Sequence, residues 1–427
     1  MINKSHFEII FTISFILSCV FPIFPTYTNG MMYHVLGISL LPVLTLPFFL
    51  KVKLSDFIAF LIFFLIFLVA TCITFINSNN DASDVFSGLK IIYFLLYSIV
   101  GYVYGYIVES PNEKFKKVYV CVLIISMLVS FVEIYIPGIS FFLYKRESLD
   151  ILSDKLTSLF NTTYHYAFFL FWGLCFYFTR FCYLVEKRVE VKSYFVNFMI
   201  AVVIFVLIFL TQSRNFILVS SILISIKVFN LFVKRVYDFK VIFFILMALV
   251  VGSSFLNYFS TEIETRFLYV VSGINYLISG GLDFSGGGSG SFNTRINQIL
   301  FAWDAISSNP LFGVGVGKDI YLESIYAYLL YKYGIVGLVT FITIIIILSC
   351  ISKRAELIVN NLDDKVFFNS CFWFFSLSPI YFLSGPLFEV PKLSMFFYCL
   401  IGLLVGSYRK YRIINGAFLS KTLSQKY

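Results

Sequence analysis

Charge is scarce in this chain: only 13% of its 427 residues are charged, while 59% are hydrophobic. A soluble domain carries nearer a quarter charged residues, so a water-dissolved globular fold is excluded and lipid is the matching solvent. Alternating ten-residue strands are also lacking. A closed membrane barrel needs them, and the apolar runs here are continuous, which leaves helices as the only spanning structure. Cysteine is missing from the connections expected to face outward. Cys19, Cys72, Cys121, Cys175, Cys182, Cys350, Cys371 and Cys399 fall within or beside apolar runs, so no disulfide framework is indicated and they read as small packing residues. No small-residue cleavage site follows the first apolar run, which is therefore expected to be a retained span and not a removed signal.

What the chain has in their place is a series of apolar windows, each long enough to cross about 30 Å of hydrocarbon as helix. They lie near 7–24, 31–50, 57–76, 91–108, 118–136, 166–184, 195–211, 216–233, 240–259, 334–351, 366–384 and 393–408. The fold class expected is all-α: a polytopic integral membrane protein of about twelve transmembrane helices, forming a single domain over 1–427. Lys and Arg mark the cytoplasmic loops. With the N-terminus inside, every inner segment carries at least one: Lys4; Lys51; Lys114, Lys116 and Lys117; Arg180 and Lys187; Lys227 and Lys234; Lys353 and Arg354; Arg409 and Lys410. Outer segments such as "PTYTNG" and "NSNNDASDVFSG" carry none. Both termini are thus expected in the cytoplasm. The net charge of +9 follows from this topology, and no nucleic-acid partner is read into it.

Two outer connections are long, 137–165 and 260–320, and loops of such length are usually functional or disordered. The second holds the Gly/Ser-rich "SGGLDFSGGGSGSFNTR" and then "INQILFAWDAISSNPLFGVGVG". Ile296, Ile299, Leu300, Trp303 and Ile306 recur at helical spacing, which predicts an amphipathic helix on the outer membrane surface, broken by Pro310. Gly313, Gly315 and Gly317 of "LFGVGVGK" are not a phosphate-binding P-loop, because Asp319 follows Lys318 where Ser or Thr is required. They can let backbone approach a ligand or another helix closely.

Arg214 of "FLTQSRNFIL" sits at the outer ends of the seventh and eighth expected spans. A guanidinium at mid-bilayer depth costs roughly 2.5–3.5 kcal/mol, so a chain that keeps one usually has work for it. Only about 20 Å of helix separates it from Lys227, so either Lys227 snorkels inward or Arg214 lies in a recessed polar cavity. Arg214 then either grips a lipid phosphate at the interface or clamps a pyrophosphate ligand. Arg295 begins the surface helix and can reach over the same cavity. Glu323, in "YLESIYAYLLYKYGIVGLVTFITIIIIL", is expected on a helix running unbroken into the tenth span, where it is either a solvated helix-end charge or a proton acceptor for a hydroxyl. Arg266, Asp304, Lys318 and His165 are further candidates, each with a structural alternative.

These residues resemble motifs of the O-antigen polymerase and ligase superfamily of bacterial membrane glycosyltransferases. "LTQSRNFIL" is similar to that family's TGSRG hairpin, with Gln212 and Asn215 in place of its glycines. "TRINQILFAWDAISSNPLFGVGVG" resembles its segment of Arg, Trp, Ala, Pro and GxGxG, with Arg295 as the second family arginine. "ESIYAYLLYKYGIVGL" resembles its HNxYLxxLxExG signature, and "LTSLFNTTYHYAFFLFW", with Asn161, is faintly similar to its GxFxNPN entry to a span. Glu323 stands where ligases carry His and Ser324 where they carry Asn, which favours a Wzy-type polymerase.

The resemblance implies a GT-C-like membrane enzyme on the periplasmic side of the bacterial inner membrane, with an undecaprenyl-pyrophosphate-linked oligosaccharide as substrate and no metal or other cofactor. Arg214, Arg295 and Glu323 would be catalytic. Arg266, His165, Asn161, Lys318, Gly315 and Gly317 would bind substrate. Membrane lipid, a chain-length regulator and a flippase are the partners that reading suggests. A ligase handing finished polymer to a lipid core is the alternative within the class. A twelve-span transporter also fits the span count, though transport sites usually lie at mid-membrane on broken helices and no internal repeat is visible here.

Overall fold

A computed structural model of the protein describes residues 4–21, 28–48, 64–69, 71–72, 82–136, 156–160, 162–189, 191–234, 290–315 and 322–424. Its elements are α1 (Lys4–Val20), α2 (Thr28–Leu40, continuing as a 3-10 segment, Leu41–Phe48), α3 (Ala82–Ile107), α4 (Pro111–Tyr135), α5 (Thr163–Glu186), α6 (Val191–Leu210), α7 (Arg214–Val233), α8 (Gly290–Ala305), α9 (Ile325–Ile358), α10 (Leu362–Ser376), α11 (Ser378–Tyr381) and α12 (Pro391–Ser424). Short 3-10 turns, Phe382–Ser384 and Leu387–Glu389, join α11 to α12. No strand occurs among the described residues, so the all-α expectation holds.

Six of these helices, α3 from Lys90, α4, α5, α6 from Lys192, α7 and α9, are long and apolar enough to cross a membrane. They coincide with six of the expected spans. The window at 240–259 and most of 57–76 lie outside the described residues. Two expected spans are not simple helices. The window at 31–50 changes from α-helix to 3-10 at Leu41, in a stretch with Pro42 and Pro47, neither of which can donate a backbone hydrogen bond. The window at 366–384 bends by 44° between α10 and Ser378–Ser384, where Pro379 removes a helical N–H in the first turn of α11.

α5 is apolar on every side, and the structure buries it: Tyr166, Phe168, Phe169, Phe171 and Trp172 are inaccessible to solvent. Phe168 alone packs against the rings of Phe216 of α7, Tyr381 of α11 and Phe396 of α12. α3 and α12 approach each other to backbone contact. Each carries two glycines four apart, Gly101 and Gly105 on α3 and Gly402 and Gly406 on α12, and a Cβ at any of them would strike the partner's backbone. Small residues at this spacing let backbones meet where lipid supplies no hydrophobic drive.

One end of the bundle is laced by ion pairs: Lys114 with Glu8 at 2.6 Å, Lys116 with Asp363 at 3.2 Å, Arg180 with Asp363, Lys234 with Glu186 at 2.7 Å and Lys353 with Glu356 at 2.9 Å. Within it Asn112 donates to Asp364, and Lys410 to the Val108 carbonyl. The basic residues of this end are ones the sequence assigns to inner segments. Arg214 begins α7, and Glu323 precedes α9, at the opposite end.

Candidate active site

α6 and α7 are joined by a turn of three residues, Thr211, Gln212 and Ser213, all buried. The Thr211 hydroxyl donates to the Ile208 carbonyl at 2.6 Å and accepts from Ser213 N–H. Gln212 has φ +56, a region glycine enters without strain. Glycine at that place in the resembled hairpin is thus explained by backbone geometry. Arg214, half-buried, is the first residue of α7. Lys227 does not snorkel inward to the membrane surface: it is buried, donates to the Asn369 side-chain oxygen and lies 5.4 Å from the Trp373 ring centroid.

Arg295 lies on α8, with 13% of its side chain exposed, and its guanidinium is 3.7 Å from the Glu323 carboxylate. One turn further along α8, the Gln298 oxygen accepts from the backbone N–H of Glu323 at 2.9 Å and of Ser324 at 3.4 Å. α8 therefore holds Glu323 by side chain and by backbone. The apolar stripe expected on α8 is divided. Ile299, Ala302 and Ile306 face the core, whereas Leu300 and Trp303 remain more than half exposed, because i+3 and i+4 steps drift around a helix that has protein along only one edge. The helix also ends at Ala305, before Pro310.

The expected unbroken helix from Glu323 into the tenth span is not formed. Glu323 lies two residues before the start of α9, with Ser324 between, and Gly334 interrupts the helix with φ +63 and ψ −163. The loop after α8 fills the break. Pro310 and Leu311 carbonyls accept from Ile335 and Val336 N–H at 3.0 and 3.1 Å, and Val314 N–H donates to the Tyr331 carbonyl at 2.8 Å. These are the groups that a broken helix leaves without partners. Gly313, φ +77, lies so close to Gly334 that a Cβ on it would meet the Tyr331 oxygen at 2.5 Å. Gly313 thus serves close approach to a helix, one of the two roles the sequence allowed. Gly315 follows, buried.

A segment with no prior sequence signal links the two halves. Asn215, next to Arg214, donates to the Ser384 hydroxyl at 2.8 Å, and a Cβ on the following Gly385 would lie 3.0 Å from the Glu323 carbonyl. Tyr326 of α9 donates to the Pro379 carbonyl at 2.5 Å. The start of α7 and the start of α9 therefore flank the same stretch, 379–385, and Arg295 reaches that place from α8.

Two further ionisable residues are missed by motif reading. Glu133, buried near the end of α4, accepts from Thr157 N–H at 3.1 Å, the Thr157 hydroxyl at 2.9 Å and Ser158 N–H at 2.6 Å. Lys392, also buried, donates to the Leu159 carbonyl at 2.6 Å. Together they pin residues 156–160, whose Leu156 N–H reaches the Leu210 carbonyl just before the Arg214 turn. An ionisable residue inside an apolar run, as in "SFVEIYIP", was the available signal.

Two of the remaining candidates, His165 and Asp304, lie among the described residues. His165 lies in the first turn of α5, its N–H weakly held by Thr162 and its Nδ1 buried without a hydrogen-bond partner. Asp304 is exposed on α8. Asn161, Arg266, Gly317 and Lys318 lie outside the described residues. No group of metal-ligating side chains occurs among the described residues.

A family model described as O-antigen ligase matches residues 199–342. The matched segment begins within α6 and ends within α9, and contains Arg214, Arg295 and Glu323. It supports the O-antigen ligase and polymerase superfamily, glycosyltransferase-like enzymes of surface-glycan assembly that act on lipid-linked glycans. No curated protein matches the chain.

Proposed function

We propose that this protein polymerises lipid-linked repeat units, moving a growing glycan from undecaprenyl pyrophosphate to the sugar hydroxyl of the next lipid-linked unit, with inversion at the anomeric carbon. The observation that carries this reading is the approach of Arg295 to Glu323 beside the segment that also holds the start of α7. In the proposed step the acceptor oxygen attacks the anomeric carbon from the face opposite the pyrophosphate. The bond to the phosphate oxygen breaks with its electron pair, and the hydroxyl proton passes to Glu323. Arg214 and Arg295 stabilise the charge that develops on the departing pyrophosphate, a preorganised role worth about 3–4 kcal/mol per donor. A guanidinium presents its N–H groups as a planar fork that matches phosphate oxygens.

Membrane sidedness in this reading follows from charge. The ion-paired end carries Lys114, Lys116, Arg180, Lys234 and Lys353 and lies in the cytoplasm, so the candidate site faces the periplasm of a bacterial inner membrane. A chain-length regulator and a flippase would act beside it. The matched family is described as a ligase, which sustains the second reading, transfer of finished polymer to a lipid core; Glu323 in the place of a ligase histidine favours polymerisation. Gel analysis of surface polysaccharide from a deletion strain decides between them. Single repeats on the lipid core are the expected result, whereas long polymer left on its lipid carrier would assign the ligase role.

A further inference from the structure

α7 and α9 share a second property at the ends that flank residues 379–385. Each is preceded by a serine, Ser213 and Ser324, in extended backbone conformation, and neither serine makes the side-chain hydrogen bond that an N-cap residue ordinarily supplies. Thr162 caps α5 and Asn361 caps α10 with their side chains, whereas Ser110 before α4, in left-handed backbone, does not. Both serines are completely buried, and both hydroxyl oxygens lack any hydrogen-bond partner. A buried hydroxyl in that state is a cost that a native structure keeps only for a reason, of which a missing ligand is one. The first-turn N–H groups of each helix have no intrahelical acceptor either, and the helix dipole adds partial positive charge at the same point. Gln298 engages the N–H groups of Glu323 and Ser324, upstream of the first turn of α9, and so leaves that turn to another acceptor.

We infer that the N-termini of α7 and α9, with the hydroxyls of Ser213 and Ser324, form a two-part cradle for a pyrophosphate, each helix end serving one phosphate group. The inference rests on the proposed glycosyl transfer and extends it by naming two binding residues and a backbone contribution alongside Arg214 and Arg295. Binding rotates each serine hydroxyl to donate to a phosphate oxygen, which supplies the missing partner. Asn215 on Ser384 and Gly385 beside the Glu323 carbonyl set both helix ends against adjacent residues, and a diphosphate offers one phosphate to each.

The test uses the full-length protein in lipid nanodiscs, titrated with inorganic pyrophosphate, with orthophosphate, and with pyrophosphate in competition with a polyprenyl pyrophosphate. Wild type should prefer pyrophosphate to orthophosphate and lose it to the polyprenyl form, which identifies a lipid headgroup as the ligand. Inorganic pyrophosphate bound without that competition would overturn the assignment. Ser213→Ala and Ser324→Ala should each weaken pyrophosphate binding roughly tenfold or more and shrink the preference over orthophosphate. Ser→Thr at either site should restore both. Ser→Gly, nearly neutral at an N-cap, removes the hydroxyl should an Ala variant fail to fold. Pyrophosphate affinity within twofold of wild type in the folded Ala or Gly variants sinks the cradle. If Arg214→Ala still abolishes binding in that case, the wider transfer reading survives; if Arg214→Ala also binds normally, both fall.

Discussion

Arg295 and Glu323 face each other across 3.7 Å, the guanidinium mostly buried and the carboxylate more than a third exposed. That separation marks a loose pair; in the proposed transfer a phosphate replaces one partner and the exposed carboxylate meets the hydroxyl. Glu323→Gln keeps the shape and removes the base. Chain growth in membranes should fall at least about a hundredfold while the protein remains folded and inserted. A variant that makes full-length polymer would reduce Glu323 to a counter-ion.

Arg214→Ala and Arg295→Ala should each lower polymer synthesis by about two to three orders of magnitude, the size expected for loss of one preorganised donor. Lys at either position keeps charge but not the fork and should restore only part of the activity. Polymer ladders from membranes carrying equal amounts of each variant give the comparison. Normal ladders from both Ala variants would falsify the clamp.

Gln298 touches neither of the reacting groups and still holds the backbone of Glu323 and Ser324. Gln298→Leu should lower the rate about tenfold through a misplaced carboxylate, with little change in melting temperature. Gln298→Glu, which keeps an acceptor oxygen, should recover most of it. Equal loss in both variants would point to a packing effect.

Gly313 and Gly334 interlock in left-handed conformations, and each lies where a Cβ would meet the other's segment at 2.5 Å. Ala at either position should cost roughly 2–4 kcal/mol from overpacking and strain together. Detergent melts of the purified protein measure this. The double variant should cost clearly less than the sum, since the second change enters an interface already opened.

Glu133 satisfies three donors on the 156–160 loop. Glu133→Ala leaves buried N–H groups without an acceptor and should destabilise by roughly 2–5 kcal/mol. Glu133→Gln, with one acceptor oxygen remaining, should cost about half as much. Because Leu156 reaches Leu210, Arg214-dependent activity should decline in parallel. Unchanged melting and activity in Glu133→Ala would remove this loop from the account of the site.

The sequence singled out Arg214 and Glu323 as charges beside apolar runs, where retention is expensive, and Arg295 as the charge between a Gly-rich stretch and the surface helix. It gave no sign of Gln298 or Ser384, ordinary polar residues that stand out only by what they touch. It also carried α9 straight through Gly334. Nothing local forbids a helix there, since a lone glycine is tolerated; the break is set by a loop more than twenty residues earlier whose carbonyls replace the helical acceptors.

By itself the sequence determined the solvent, the helical class, the position of most described spans and the end of the bundle at which basic residues gather. Those properties follow from hydrophobicity summed over twenty residues and from the cost of moving charge through lipid, and both are read along the chain. The tertiary structure alone decided that Arg295 meets Glu323, that residues 379–385 lie between the starts of α7 and α9, and that glycines on α3 and α12 interlock. Such contacts join positions far apart in the chain, and only packing in three dimensions selects which of many similar apolar surfaces will meet.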